Sequence, residues 1–135
     1  MDNNIILLKE KGLKVTPQRI AIVELLDAYG HLSISKMYEL VKERFPSISL
    51  ATIYKNLNSM VDNGFINEVK IIGQDSRYEL AKPSHAHVVC KECGDMVDIE
   101  LDEVGVKNKA EELSQYKIDS SSLVFYGVCK ECQLA

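Results

Sequence analysis

The chain has no apolar run approaching the ~20 residues that a helix needs to cross a bilayer, so no membrane span is expected. Its opening residues, Met1-Asp2-Asn3-Asn4-Ile5, lack a basic region ahead of a long apolar stretch, which leaves no recognisable secretory signal. Internal repeats and low-complexity tracts are missing too. No Ser/His/Asp arrangement and no phosphate-cradling loop can be named, so an enzyme is not expected. The expected setting is the cytoplasm, where paired thiols hold metal more often than they form disulfides.

What is present is modest in size and uneven in charge. The 135 residues, 46% of them apolar, suit one domain or two small ones sharing a core. The net charge is −4, but residues 1–82 carry 11 Lys/Arg against 10 Asp/Glu, and residues 83–135 carry 5 against 10. An acidic total does not exclude DNA, because local charge decides contact. The break falls at Ala81-Lys82-Pro83-Ser84, where proline disfavours helix in the residue before it. The expected domains are 1–82 and 83–135.

The first half reads as helices followed by a hairpin. A short helix over Ile5–Lys11 stops at Gly12; Thr16-Pro17 pairs an N-cap hydroxyl with proline at the first turn, opening a helix that ends at Tyr29-Gly30. Ser33 caps a third helix with Met37, Leu40, Val41 and Phe45 inward. Ser49 caps a fourth over Leu50–Asn63, with Gly64 closing it. In that helix Ile53, Leu57, Met60 and Val61 share one face, leaving Ala51, Thr52, Tyr54, Lys55, Asn58 and Ser59 outside. Such a face is usually plain solvated surface, yet its residue types suit an element entering the DNA major groove. Phe65–Ile72 and Ser76–Leu80 flank a Gly73-Gln74-Asp75 turn, and helix-turn-helix followed by a hairpin is a winged-helix pattern. A helical domain with a purely structural hairpin fits the same pattern.

The second half reads as a small α/β unit. Strands are expected at Ala86–Cys90, Met96–Glu100 and Tyr116–Val128, with a helix over Asp102–Ser114. An exposed sheet edge makes dimerisation through this half plausible. Cys90, Cys93, Cys129 and Cys132 form two Cys-x-x-Cys pairs, each presenting two thiolates from one tight turn to a tetrahedral Zn²⁺. Two disulfides or four ordinary buried thiols are the plainer alternatives. A closed four-sulfur site has no open coordination position, so its zinc would be structural and would staple the last strand to the first hairpin.

Nitrogen and oxygen ligands gather beside it. His85 and His87 lie two apart on a strand and so face one side; a hairpin symmetric about the Cys90–Cys93 knuckle sets Asp98 opposite His87. Glu79 ends the wing, and His31 sits in the loop after the second helix, where a lone histidine is ordinarily just surface. Three nitrogens and two carboxylates suit Fe²⁺, Mn²⁺ or Zn²⁺, and ligand type does not choose among them.

Several segments in order carry a resemblance over nearly the whole chain: Gly12-Leu13-Lys14-Val15-Thr16-Pro17-Gln18-Arg19, Ser49–Leu57, the His85–Gly94 stretch and Tyr126–Cys132. The chain resembles the ferric uptake regulator family of metal-dependent transcriptional repressors. The resemblance implies an α+β protein: an N-terminal winged-helix DNA-binding domain and a small α/β dimerisation domain with structural zinc. It implies a homodimer on operator DNA, with His31, Glu79, His85, His87 and Asp98 at the regulatory metal positions. Tyr54 falls on a DNA-contacting position of the recognition helix, and Lys14 and Arg19 on backbone or minor-groove positions. Ser84, Ala86 and Ser121 stand where many iron-responsive members carry ligands of an extra site, which implies that this site is absent. Asp98 resembles the peroxide-stress branch, whereas Glu79 does not. The expected function is a repressor holding Fe²⁺ or Mn²⁺ that senses peroxide by iron-catalysed oxidation of His31 or His85. The alternatives are an iron-responsive uptake repressor without peroxide sensing and a zinc-stabilised DNA- or protein-binding module without sensing.

Overall fold

The computed structural model describes residues 2–82 and 85–134. The chain divides into two compact units, Met1–Ala81 and Lys82–Ala135. Pro83 and Ser84, part of the expected linker, lie outside the described residues.

The first unit contains α1 (Asp2–Glu10), α2 (Pro17–Tyr29), β1 (Leu32–Ser33), α3 (Ile34–Arg44), α4 (Leu50–Asp62), β2 (Ile66–Val69) and β3 (Arg77–Leu80). Three helices begin at hydroxyl caps, where orphan N–H groups need acceptors. Thr16 accepts from the N–H of Arg19, Ser33 from that of Lys36 and Ser49 from that of Thr52. Gly64, at φ +71°, ends α4 in a left-handed turn that returns the Phe65 N–H to the Met60 carbonyl at 2.9 Å. Leu26, Met37, Val41, Ile53, Leu57 and Met60 meet in one core with Ile66 and Tyr78 of the sheet. The hairpin strands are shorter than expected, and β1 adds a third: the antiparallel order is β1-β3-β2. This is a winged-helix arrangement, with α4 second in its helix-turn-helix pair.

The second unit contains β4 (Ala86–Cys90), β5 (Met96–Ile99), α5 (Glu103–Ser114), β6 (Val124–Gly127) and α6 (Lys130–Leu134). Its sheet order is β5-β4-β6, with β4 antiparallel to β5 and parallel to β6. The long strand expected over Tyr116–Val128 is corrected to four residues. β4 offers partners only from His87↔Val124 to Cys90↔Gly127. Upstream, the Tyr116 N–H is taken by Ser114 Oγ at 3.1 Å and the Ile118 N–H by Glu111 Oε2 at 2.9 Å, so local side chains replace a strand neighbour.

Buried apolar residues here are few, with Ala86, Val89, Cys90 and Met96 forming most of the interior. Every residue of α5 is exposed or half-buried; Leu113 is 74% exposed and Phe125 of β6 47%. Among the described residues no helix is long and apolar enough to cross a membrane.

Candidate metal centres and nucleic-acid face

The β4–β5 turn brings Cys90 and Cys93 together. Gly94 makes that turn possible: its φ is +78°, and its N–H closes onto the Cys90 carbonyl at 2.9 Å. Cys129 follows β6, which runs beside β4, and Cys132 lies one helical turn further on in α6. All four are thiols, with Sγ atoms mutually within 4.8 Å. Cys93 Sγ and Cys129 Sγ are 3.9 Å apart, close to the ~3.8 Å edge of a tetrahedron with Zn–S bonds of ~2.3 Å. A disulfide would need ~2.05 Å. By donor type, number and spacing this is a structural zinc site.

The site is prepared for negative charge. The backbone N–H groups of Cys93 and Cys129 donate to Cys90 Sγ at 3.5 and 3.3 Å and lower the Cys90 pKa to about 6. The Cys132 thiol moves the other way, raised first by its hydrogen bond with Cys129 and then by burial. One thiolate forms readily; ionising all four requires a cation among them.

A second set converges on β4 and β5. His85 and His87 share one face, their rings edge-to-face at 4.6 Å between centroids. Register pairs His87 with Asp98, as the symmetry about the Cys knuckle predicts. His87 Nδ1 lies 2.8 Å from Asp98 Oδ1, and ligand atoms of His85, His87 and Asp98 lie within 4.8 Å of one another. Two ligands at ~2.1 Å from one ion and at right angles to it stand ~3 Å apart, so the spacing fits a shared ion. Lys82 Nζ donates to the other Asp98 oxygen at 2.8 Å. Partial burial raises the Asp98 pKa, but the hydrogen bonds from Lys82 and His87 outweigh it and hold the carboxyl below its usual range.

In the first unit Glu79 is buried on β3, paired in register with Asn67 of β2. Continuing the Leu32↔Tyr78 register of β1 by one residue sets His31 opposite Glu79. Arg77 Nη1 lies 3.2 Å from His31 Nδ1; guanidinium only donates, so Nδ1 is the acceptor. Before His31 can bind an ion through that nitrogen, Arg77 must release it.

The α4 face has the expected composition. Ile53, Leu57 and Met60 are buried, while Ala51, Thr52, Tyr54, Lys55 and Asn58 are exposed. Thr52 Oγ1 is 2.9 Å from Ser49 Oγ, which steadies the first turn. Lys14 is exposed in the loop before α2. Arg19 is different: its guanidinium donates to Asn56 Oδ1 at 3.0 Å, the Lys14 carbonyl at 3.0 Å and Ser59 Oγ at 3.3 Å. It fastens α2 to α4 and leaves only its remaining N–H groups for other partners. Sequence reasoning missed this role, and also missed Lys82, because both depend on pairs distant along the chain.

Comparison with known proteins places these features in a family pattern. The model of the Ferric uptake regulator family matches residues 10–126. A peroxide-responsive repressor, PerR, from Staphylococcus aureus is 32% identical, over 98% of this chain and 91% of its own length. The Campylobacter jejuni peroxide stress regulator superposes with a TM-score of 0.75 at 32% identity, covering 95% of this chain and 98% of that one. The Helicobacter pylori ferric uptake regulator Fur, whose structure is described as revealing three functional metal binding sites, has a TM-score of 0.78 at 28% identity. It covers 98% of this chain and 90% of its own.

Proposed function

Because the chain belongs to the Ferric uptake regulator family and is a metal-responsive transcriptional regulator, we propose that it is a repressor that senses peroxide by oxidation of a histidine ligand. The observation that carries this reading is the convergence of His85, His87 and Asp98 beside a separate four-cysteine site, in a chain that also contains a winged-helix unit. Similarity to peroxide-responsive repressors over almost the full chain supports the branch.

The first unit, residues 1–81, is the DNA-binding domain. Thr52, Tyr54 and Lys55 on the outer face of α4 read the major groove, and Lys14 meets the phosphate backbone. Arg19 contributes chiefly by holding α4 in place. The second unit, residues 82–135, forms the homodimer; exposed Leu113 and Phe125 support that, since large apolar side chains left in water on so small a unit favour a partner surface. The protein works in the cytoplasm on double-stranded operator DNA.

By resemblance to the family, the residues that would hold the regulatory ion, Fe²⁺ or Mn²⁺, are His31, Glu79, His85, His87 and Asp98. Ligands drawn from both units let binding favour one arrangement of the two, which is how metal occupancy reaches DNA affinity. Bound Fe²⁺ would supply the redox chemistry that opens the O–O bond of peroxide, which Mn²⁺ would not supply readily, while the two electrons of the net change come from the imidazole. The net change on the protein is insertion of one peroxide oxygen at an imidazole carbon of His31 or His85, the other oxygen leaving as water. The oxidised ring loses its fit as a ligand.

Operator binding by the purified, zinc-loaded protein with Fe²⁺, Mn²⁺ or no added ion tests the reading. Both ions are expected to promote binding. Equal binding without a second ion would leave a zinc-stabilised module without sensing. Glu79 and the similarity to the Helicobacter pylori Fur favour a second reading, an iron-responsive uptake repressor. Continued repression by the iron form under peroxide would establish it.

A further inference from the structure

Asp98 has both carboxylate oxygens engaged within the second unit, Oδ1 with His87 Nδ1 and Oδ2 with Lys82 Nζ, each at 2.8 Å. The second contact sets a full positive charge on the same carboxylate whose Oδ1 stands at ion-sharing distance from His87. Lys82 is tethered three residues before His85, and with His85, Asp98 and Glu100 it lines an open cleft of about 740 Å³. From there the ammonium can reach Asp98 or withdraw into water.

Resting on the reading of Asp98 as a regulatory ligand, we propose that Lys82 is a built-in counter-cation that the regulatory ion must displace, so that it sets the ion concentration at which the site fills. Two cations drawn to one carboxylate at contact distance repel each other, and in this open cleft water screens that repulsion in part, leaving an effect of modest size. Uptake is therefore an exchange: the ammonium leaves Asp98 as the divalent ion arrives. Lys82 restrains the second carboxylate oxygen in the ion-free protein and opposes occupancy at low ion concentration. It is a positioning residue and not a ligand, since a protonated amine has no lone pair to give.

The test is Mn²⁺ titration of the full-length, zinc-loaded protein, with free Mn²⁺ read from its electron paramagnetic resonance signal. Lys82→Met is expected to tighten Mn²⁺ binding by at least about threefold, in line with removal of a partly exposed charge pair plus its repulsion. Lys82→Arg keeps the cation and stays within about twofold of the parent protein, and so does Lys109→Met, which removes an exposed lysine of the same unit. In an Asp98→Asn background the gain from Lys82→Met disappears, because the two residues act as one pair. A smaller gain, a loss, an equal gain from Lys109→Met, or a gain that persists without the Asp98 charge each overturns the proposal. If Asp98→Asn alone binds Mn²⁺ as tightly as the parent, Asp98 is not a ligand, and the underlying reading falls with the proposal. A clear loss in Asp98→Asn together with an unmoved Lys82→Met overturns only the role of Lys82.

Discussion

Cys93→Ser removes one corner of the four-sulfur cluster, and the interior of the second unit sets how much that matters. Val89 and Met96 are its large buried side chains, at 1% and 3% exposure, with Ala86 and Cys90 adding little volume. Burying Val89 and Met96 contributes ~1.5–3 kcal/mol each, whereas ordering a backbone costs ~1–2 kcal/mol per residue. Structural zinc supplies ~10–16 kcal/mol in small domains, and that energy is folding energy. Zinc therefore outweighs the apolar interior here. Losing one thiolate leaves three ligands and costs on the order of several kcal/mol of this. The expected outcome is loss of tightly held zinc, read by a chromophoric chelator, loss of the dimer in sedimentation, and melting of the second unit ahead of the first. A Cys93→Ser protein that kept one zinc per chain and remained dimeric would remove the four-sulfur site from this account.

Other perturbations separate the remaining roles. Tyr54→Ala should weaken specific operator binding by ~1–3 kcal/mol with little change in salt dependence, whereas Lys14→Ala should weaken binding on every sequence and lower the salt slope by about one; wild-type footprints from both would refute the assigned DNA face. Phe125→Asp should yield monomers in sedimentation with zinc retained, and an intact dimer would move the partner surface elsewhere. Burial first, then Glu68 and Tyr54, raise the Tyr78 pKa from 10.0 to about 12. A raised pKa means stability present below the unfolded value and lost as pH climbs through the folded one, so the first unit should weaken between pH 10 and 12. Tyr78→Phe should flatten that loss, as followed by circular dichroism.

Much of this architecture is local and therefore legible. Thr16, Ser33 and Ser49 cap because a hydroxyl three residues before an orphan N–H has one good geometry, and the sequence shows that spacing directly. The pairing of His87 with Asp98 follows from a turn whose centre Gly94 and two cysteines mark. What escaped depends on partners. Leu32–Ser33 is a strand only because β3 lies beside it, and two residues carry no period. Tyr116–Val128 has strand composition, but most of it has no neighbour to bond with, and α5 side chains claim its N–H groups. Arg19 reads equally well as a phosphate contact or an internal clamp until Asn56 and Ser59 stand beside it, 37 and 40 residues away. Lys82 reads as linker until Asp98, 16 residues on, takes its ammonium.

The central claim, that a histidine ligand carries the peroxide signal, is tested most directly on the iron-loaded protein. Mild peroxide is added to the operator complex, release of DNA is followed, and peptides containing His31 and His85 are weighed by mass spectrometry. The expected result is release in step with a gain of one oxygen atom on one of those peptides, with the manganese-loaded protein neither releasing DNA nor changing mass. Release with both histidine peptides unmodified and oxidation on Cys90 or Cys93 would contradict the account and put a thiol switch in its place.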